Sequence, residues 1–242
     1  MTVLLLAGTA EARQVAQKLH QQNISAIATL SGATRHPKSL PIPVQIGGFG
    51  GADGFKQFIS SQNIHAVLDA THPFAHNITD RTHRICHDIS MPYALLLRQK
   101  WMSDKGDDWH HIACETQAQH LVSPDDIVFL ATGRQHLDRF AALNKCRIFC
   151  RQIDPPGTDF PFENGNFVIG RPPFSIEEEM RLFKRLKVSV LVVKNAGGQA
   201  SASKLVAARA LGIKVIMIDR PKTPDAHKVE TAQQAVDWIT SL

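Results

Sequence analysis

The chain has 242 residues, of which 43% are hydrophobic and 20% are charged, so it can form one large domain or two small ones and is unlike a disordered segment. Its net charge of +5 favours an anionic partner. Lysine and arginine are dispersed, however, and only 7% of the residues are aromatic, which disfavours nucleic acid. We therefore expect a small polyanionic ligand and no nucleic acid.

Cysteine usage and the lack of long apolar runs predict the compartment. No two cysteines form a Cys-x-x-Cys pair, and a zinc site would need further ligands at recognisable spacing. We expect free thiols, no bound metal and a reducing cytoplasm. No apolar run reaches membrane-spanning length and the first residues lack the charged region of a signal peptide, so we expect a cytoplasmic protein with no membrane partner. The cysteines are Cys86, Cys114, Cys146 and Cys150.

The first residues predict a strand, a tight turn and a helix. Residues 2–6 are continuously apolar, as in a strand buried on both faces, and residues 10–21 have the spacing of an amphipathic helix. Gly8 and Thr9 form the turn, and Glu11 lies in the first helical turn. Bare N–H groups and the helix dipole favour anions there, so these three residues are candidate contacts of a dinucleotide. The motif is not Gly-x-Gly-x-x-Gly, and a plain turn is the alternative.

The second predicted strand, residues 24–30, is followed by a polar segment that bears on the choice of cofactor. NAD-binding units place an Asp or Glu near this position to hold the ribose 2′-OH, and the sequence has none here. Ser31, Thr34 and Arg35 stand there instead. Hydroxyl and guanidinium groups suit a 2′-phosphate, so the segment favours NADP over NAD. A solvated basic loop is the alternative.

A glycine-rich segment follows the third strand. Residues 47–51 contain four glycines, which leave backbone N–H groups bare and allow a ligand to approach closely. Gly48, Phe49 and Gly50 are therefore candidate cofactor contacts. Phe49 argues against the alternative of a merely flexible loop.

The next strand ends in a polar corner. It stops at Asp69, Thr71 and His72 follow, and Pro73 fits the first turn of a helix that we expect from Phe74. In an open α/β sheet this carboxyl edge is where ligands bind, so Thr71 and His72 are candidate site residues. A polar corner in which the threonine only caps the helix is the alternative.

The polar segment 98–108 breaks the alternation of strands and helices, and we place a domain boundary there, giving domains 1–98 and 99–242. The second half alternates again, and its polar residues also follow strands. We therefore predict an α/β protein with two Rossmann-like domains, mostly parallel sheets and a ligand cleft between them. The strands predicted in the second half are residues 126–130, 147–153, 167–170, 188–193 and 214–218.

Several stretches taken together resemble the precorrin-6A reductases of corrin (cobalamin) biosynthesis. The matching stretches are LLAGTAEA at 5–12, GGFGG at 47–51, DATHPFA at 69–75, GDDW at 106–109, GRPPF at 170–174 and KNAGG at 194–198. The likeness runs from near Met1 to about Pro221. Ala7, Ala33, Pro172 and Ala196 depart from the family pattern, and the change at Ala33 bears on the choice between NADPH and NADH.

The resemblance implies a reductase of a macrocycle. It implies two Rossmann-like domains and hydride reduction of one C=C bond, giving precorrin-6B or its cobalt form. NADPH is the expected cofactor, with NADH as the alternative. The substrate is a polycarboxylate tetrapyrrole, in agreement with the positive net charge. Neighbouring enzymes of the cobalamin pathway are candidate protein partners.

The expected roles of individual residues follow from the resemblance and from the chemistry of their side chains. His72 is the candidate proton donor, because imidazole titrates near neutrality; a histidine that only hydrogen-bonds the turn or a carboxylate, or a proton from water, are the alternatives. Lys194, at a strand end, is expected to pair a substrate carboxylate or to polarise the macrocycle, with a surface lysine as the alternative. Arg134 and Arg171 are candidate carboxylate clamps, and Asn195 and Gly197 are expected beside the substrate. The expected cofactor contacts are Gly8, Thr9, Glu11, Ser31, Thr34, Arg35, Gly48, Phe49, Gly50 and Thr71.

Two rival functions were weighed. A short-chain dehydrogenase should carry Tyr-x-x-x-Lys, but Tyr93 is the single tyrosine and Leu97 stands four places on, so that function is disfavoured. A non-catalytic NADP-binding sensor would need no polar cluster in the second half, and another Rossmann-type NADP-dependent oxidoreductase is a further alternative. Lys194, Asn195 and the Arg171 loop count against the sensor.

Overall fold

The computed structural model of the protein describes residues 1–32 and 38–242. Within them the chain forms two compact units, and each is described by itself. The first unit contains Met1–Gln99 and Pro221–Leu242, and the second contains Lys100–Arg220. Each unit has a six-stranded sheet in which every strand pairing is parallel. The predicted α/β fold with Rossmann-like units is confirmed.

The strands are β1 (Thr2–Leu6), β2 (Ser25–Leu30), β3 (Val44–Ile46), β4 (Ile64–Asp69), β5 (Tyr93–Leu96), β6 (Trp109–Ile112), β7 (Ile127–Leu130), β8 (Arg147–Gln152), β9 (Gly165–Ile169), β10 (Val190–Lys194), β11 (Lys214–Ile218) and β12 (His227–Val229). The α-helices are α1 (Ala10–Gln21), α2 (Ala52–Ser61), α3 (His76–Asp88), α4 (Ile176–Leu186), α5 (Ser203–Leu211) and α6 (Ala232–Thr240). Short 3-10 helices cover Glu115–His120, Arg134–Leu143 and Gln199–Ser201.

The first sheet has the strand order β12-β5-β4-β1-β2-β3. Its central strand β1 is buried on both faces because helices cover both, which explains its unbroken apolar sequence. Val3 and Leu5 pack with α1 and α6, and Leu4 and Leu6 pack with α2 and α3. The chain order reverses beside β1, where β4 lies on one side and β2 on the other, so the carboxyl ends of β1 and β4 flank a topological switch point.

The C-terminal residues belong to the first unit, which differs from the predicted division into 1–98 and 99–242. Strand β12 pairs in parallel with β5, and the apolar face of α6 packs into the core beside α1. Three residues in β12 are too few to show a hydrophobic period, and the edge to which a strand adds is decided by tertiary packing. No local sequence pattern therefore indicates that Pro221–Leu242 returns to the first sheet.

The second sheet has the order β6-β11-β10-β7-β8-β9. Its centre is β10, where Leu191 and Val192 have no exposed surface. Strand β6 was not predicted, because Trp109–Ile112 contains two histidines and lies at the edge of the sheet. In each sheet all strand pairs are parallel, so the segments that follow its strands lie at one edge of that sheet.

The described residues contain free cysteines, and they contain neither a candidate metal cluster nor a helix able to span a membrane. Cys86, Cys146 and Cys150 are buried and Cys114 is partly exposed, and all four are free thiols. In residues 1–32 and 38–242 there is no cluster of three or more His, Cys, Asp or Glu that would hold a metal ion. None of the helices described here has both the length and the apolar character needed to cross a membrane.

Candidate active site

Asp69, the last residue of β4, gathers the polar segment that follows it. Its Oδ1 accepts hydrogen bonds from the Thr71 backbone N–H at 3.0 Å and from Thr71 Oγ1 at 2.7 Å. Its Oδ2 accepts from Thr79 Oγ1 at 2.7 Å and from the Tyr93 hydroxyl at 3.0 Å. Asp69 itself has no exposed surface. Four donors around one buried carboxylate fix this turn, because leaving any of them unpaired would be costly.

The helix after this turn begins later than predicted. It starts at His76 and not at Phe74, since the Ala75 N–H donates to the His72 carbonyl at 2.7 Å and closes a separate turn first. Thr71 does not cap the helix, because its hydroxyl donates to Asp69. The alternative interpretation of this corner as a threonine cap is therefore wrong.

His72 lies in the same turn and is exposed. Its Nδ1 accepts a hydrogen bond from the Phe74 backbone N–H at 3.3 Å. Because Nδ1 acts as the acceptor, the neutral imidazole carries its proton on Nε2. The turn thus presents a side chain whose outer nitrogen is a proton donor.

A shallow pocket opens beside this turn, at the carboxyl ends of β4 and β5. Thr71, His72 and Thr79 form its polar side, residues 95–97 form an apolar side, and Lys222 lies on its lining as well.

The turn between β1 and α1 is tied to the neighbouring strand ends. Thr9 Oγ1 caps α1 by accepting from the Ala12 N–H at 3.1 Å and donates to the Ala70 carbonyl at 2.8 Å. Glu11 lies 2.7 Å from Arg98, and both side chains are mostly buried. Burial lowers the pKa of Arg98, and Glu11 opposes that change. The two predicted cofactor residues Thr9 and Glu11 therefore also hold the turn in place.

The glycine loop after β3 is anchored by its aromatic residue. The Phe49 ring packs edge-on against Phe55, with centroids 4.8 Å apart, and lies 5.2 Å from Phe58. Gly48 and Gly50 remain exposed on either side. A Cβ at Gly54 would overlap the Phe49 carbonyl oxygen, so this glycine lets α2 approach the loop. The ring of Phe49, predicted as a cofactor contact, is partly buried and packs against the core.

Three residues were predicted to contact the ribose end of the cofactor. Ser31 is exposed directly after β2. Thr34 and Arg35 lie outside the described residues. The proposed 2′-phosphate contact stays a prediction.

In the second unit, Lys194 ends β10 beside a buried carboxylate that the sequence analysis missed. Its ammonium lies 3.6 Å from Glu115, which is 5% exposed. Glu115 also lies 3.0 Å from Arg139. Burial lowers the pKa of Lys194, and Glu115 acts to raise it. Two cations to one carboxylate leave an excess of positive charge at this strand end.

The charged groups around Glu115 also shift the pKa values of Glu115 and His136. Burial acts to raise the pKa of Glu115, but its backbone hydrogen bond, Arg139 and Lys194 together hold it below its ordinary value. Burial, with help from Lys194 and Arg139, lowers the pKa of the neighbouring His136. Glu115 is therefore ionised at neutral pH and His136 is neutral.

Asn195 holds a neighbouring segment. Its Oδ1 accepts from the Trp101 N–H at 2.8 Å and its Nδ2 donates to the Trp101 carbonyl at 3.1 Å. The indole of Trp101 donates to the Gly198 carbonyl at 2.8 Å, and Arg220 donates to the Asn195 carbonyl at 2.7 Å. Gly197 supplies the positive φ of 67° that this bend requires. The Asn195 amide thus has Trp101 as its partner in this structure. Its predicted contact with the substrate stays a prediction.

The two predicted arginine clamps both follow strands. Arg134 is exposed at the start of the 3-10 helix after β7. Arg171 follows β9 and pairs with Asp154 at 3.5 Å. Both lie after strands of the second sheet, and their role as carboxylate clamps stays a prediction.

The residues that sequence reasoning missed have long-range partners. Glu115 and Arg139 lie in two 3-10 helices that are separated in the sequence and pair only in the fold, and Lys222 lies in the return segment before β12. Asp69 was seen only as the end of a strand, although a carboxylate that ends a buried strand is itself a sign of a polar network.

The chain is similar to known proteins over nearly its whole length. Residues 2–240 match the family model CbiJ, described as "Precorrin-6x reductase CbiJ/CobK". A precorrin-6A reductase of Rhodococcus erythropolis is 39% identical over 99% of this chain and 98% of that protein. One from Rhodobacter capsulatus is 34% identical over 98% and 95%. A cobalt-precorrin-6A reductase of Priestia megaterium is 27% identical over 99% and 98%.

A solved structure has the same fold over the whole chain. It is described as "CobK precorrin-6A reductase", has a TM-score of 0.96 and 33% sequence identity, and the alignment covers 100% of this chain and 96% of that one.

Proposed function

The chain belongs to the precorrin-6x reductase CbiJ/CobK family and is an oxidoreductase, and we propose that it reduces one C=C bond of precorrin-6A with a hydride from NADPH, giving precorrin-6B in cobalamin biosynthesis. The observation that carries this proposal is the polar turn of Thr71 and His72 at the carboxyl end of β4, on the same sheet edge as the glycine turns after β1 and β3. The match to these relatives covers 98% to 99% of this chain.

The first unit supports the dinucleotide part of the proposal. A Cβ built at Gly8, Gly48 or Gly50 would meet no atom within 4 Å, so the two turns leave open space beside bare backbone N–H groups. Gly8, with a φ of 136°, precedes the N-terminus of α1, where a pyrophosphate is favoured. The bound dinucleotide would supply the hydride, and the protein would supply its position.

The proton for the neighbouring carbon is assigned to His72. The hydrogen bond from the Phe74 N–H to Nδ1 orients the neutral ring. The ring would act as an acid in its protonated form, donating the Nε2 proton and returning to this neutral state. His72 also lines the pocket proposed for the ring of the cofactor, which would bring donor and hydride to the same substrate bond.

The second unit is proposed to hold the carboxylates of the tetrapyrrole. Lys194 and Arg139 exceed the charge of Glu115, and Arg134 and Arg171 stand at other strand ends of the same sheet. Guanidinium and ammonium groups at these positions suit a substrate with many carboxylates. The overall charge of +5 would help to attract it.

Metal-free precorrin-6A is proposed as the substrate in preference to its cobalt form. The relatives described as precorrin-6A reductases are 34% to 39% identical to this chain, and those described as cobalt-precorrin-6A reductases are 24% to 27% identical.

The test mixes the purified protein with precorrin-6A, with and without cobalt, and with NADPH or NADH. We expect the absorbance of the reduced nicotinamide to fall fastest with NADPH and metal-free precorrin-6A. No oxidation of either dinucleotide with either substrate would contradict the proposed function.

A further inference from the structure

We propose that Asp69 is a positioning residue that makes Thr71 a hydrogen-bond acceptor, so that the pocket selects the carboxamide N–H of a nicotinamide ring. The inference rests on the proposed function, since it names the part of the dinucleotide that the pocket reads. It assigns specificity to an oxygen atom and to the buried carboxylate behind it.

The carboxylate of Asp69 determines what its neighbouring hydroxyl groups must do. Asp69 is fully buried, and an ionised carboxylate only accepts hydrogen bonds. Each of its oxygens is therefore satisfied by a donor. The three hydroxyl groups around it, from Thr71, Thr79 and Tyr93, lie 2.7 to 3.0 Å away and must all donate. Burial and Asp69 raise the pKa of Tyr93, which keeps its hydroxyl protonated.

A hydroxyl group has one proton, and this decides what Thr71 offers to a ligand. Its proton is directed to Asp69 Oδ1, so only lone pairs of Oγ1 remain for another partner. Thr79 Oγ1 is in the same state, because its proton is directed to Asp69 Oδ2. The two oxygens are 3.5 Å apart, and neither has a second proton to donate to the other. Both residues line the pocket, so its polar side presents acceptors.

The lining of the pocket also has an apolar part, which favours an aromatic ring. Residues 95–97 are three leucines, and they line the same pocket as the two threonines. An aromatic ring with an N–H donor fits an apolar wall opposite an acceptor. The carboxamide of nicotinamide provides that donor, and a methyl ketone at the same ring position does not.

The test compares two reduced dinucleotides, the nicotinamide form and its 3-acetylpyridine analogue, in which a methyl group replaces the NH₂. Dissociation constants are measured with the full-length protein by the quenching of tryptophan fluorescence. We expect the wild-type protein to bind the nicotinamide form about 3- to 10-fold more tightly, as for one hydrogen bond. Thr71→Val should bring this ratio close to one, and Thr71→Ser should keep it.

Thr82→Val is the matched control. Thr82 lies on the same helix as Thr79, and its hydroxyl is buried without a hydrogen-bond partner among the described residues. The ratio should be unchanged in this variant. Asp69→Asn should lower the ratio, because its amide can donate to Thr71 and free the threonine proton for the ligand.

The outcomes separate this inference from the proposed function. Equal binding of both dinucleotides to the wild-type protein, or a ratio that survives Thr71→Val, would overturn the inference and leave the reductase proposal standing. Binding of neither dinucleotide to the wild-type protein would overturn both.

Discussion

The ammonium of Lys194 lies 3.6 Å from the carboxylate of Glu115, although 79 positions separate the two residues in the sequence (194 − 115 = 79). Glu115 is buried and also pairs with Arg139. One carboxylate thereby keeps two cations together at the carboxyl edge of the second sheet. This relationship sets the charge state of Lys194 as well as its position.

Glu115→Gln should move the alkaline limit of activity to lower pH. Glu115 raises the pKa of Lys194 against the effect of burial, so its removal lets the ammonium lose its proton at a lower pH. Because substrate carboxylates need the charged form, the KM for precorrin-6A should rise earlier as the pH increases, with a smaller effect on kcat. The pH profiles of kcat and KM measure this. Glu163→Gln, an exposed carboxylate in the same unit, is the control, and identical profiles for the two variants would contradict the role of Glu115.

His72→Ala should lower kcat by about 100-fold or more while changing the dissociation constant of NADPH by much less, since general acid catalysis contributes roughly 10²- to 10⁴-fold. Steady-state kinetics and fluorescence titration give the two quantities. His87→Ala, at an exposed position near the end of α3, is the control. Unchanged turnover in His72→Ala would remove the proton-donor role.

Gly54→Ala should weaken dinucleotide binding through the glycine loop. The added Cβ would overlap the Phe49 carbonyl oxygen, which forces the loop away from α2 and costs about 1–3 kcal/mol of stability, as for overpacking. Denaturant unfolding and dinucleotide titration measure the two effects. Gly157→Ala is the control, since its Cβ would meet no atom within 4 Å. Wild-type stability and affinity in Gly54→Ala would show that the loop does not depend on this contact.

Thiol reagents should modify Cys114 first. Burial raises the pKa of Cys86 and of Cys150 to about 12, with Asp69 adding to the effect at Cys86, and Cys146 is also buried with a raised pKa. The thiolate is the reactive form, so these three groups should react slowly at pH 8 in the native protein. A timed reaction with a chromogenic disulfide should show one fast thiol, which Cys114→Ser should abolish. Several equally fast thiols would contradict this accessibility.

The parts that the sequence predicted are those with local signals. The turn between β1 and α1 was predicted because an apolar run, a glycine and a helix period follow one another within a few residues. Thr71 and Lys194 were singled out for the same reason, since Thr71 lies just after a buried strand and Lys194 ends one.

The parts that the sequence did not predict depend on contacts between distant segments. The side chains around Asp69 come from α3 and β5, and Glu115 meets Lys194 across the edge of the second sheet. Strand β12 is too short to show a period, and its pairing with β5 is decided by packing. Local patterns thus located the strand ends, and tertiary structure decided which side chains meet there.

The most direct test of the central claim follows the hydride itself. NADPH carrying deuterium at the reactive C4 position, on each face in turn, is mixed with the protein and precorrin-6A in a single turnover, and the tetrapyrrole product is analysed by mass spectrometry. We predict that the product gains one deuterium from one of the two labelled forms and none from the other. Oxidation of NADPH with no deuterium in the tetrapyrrole from either form would contradict hydride transfer to the macrocycle.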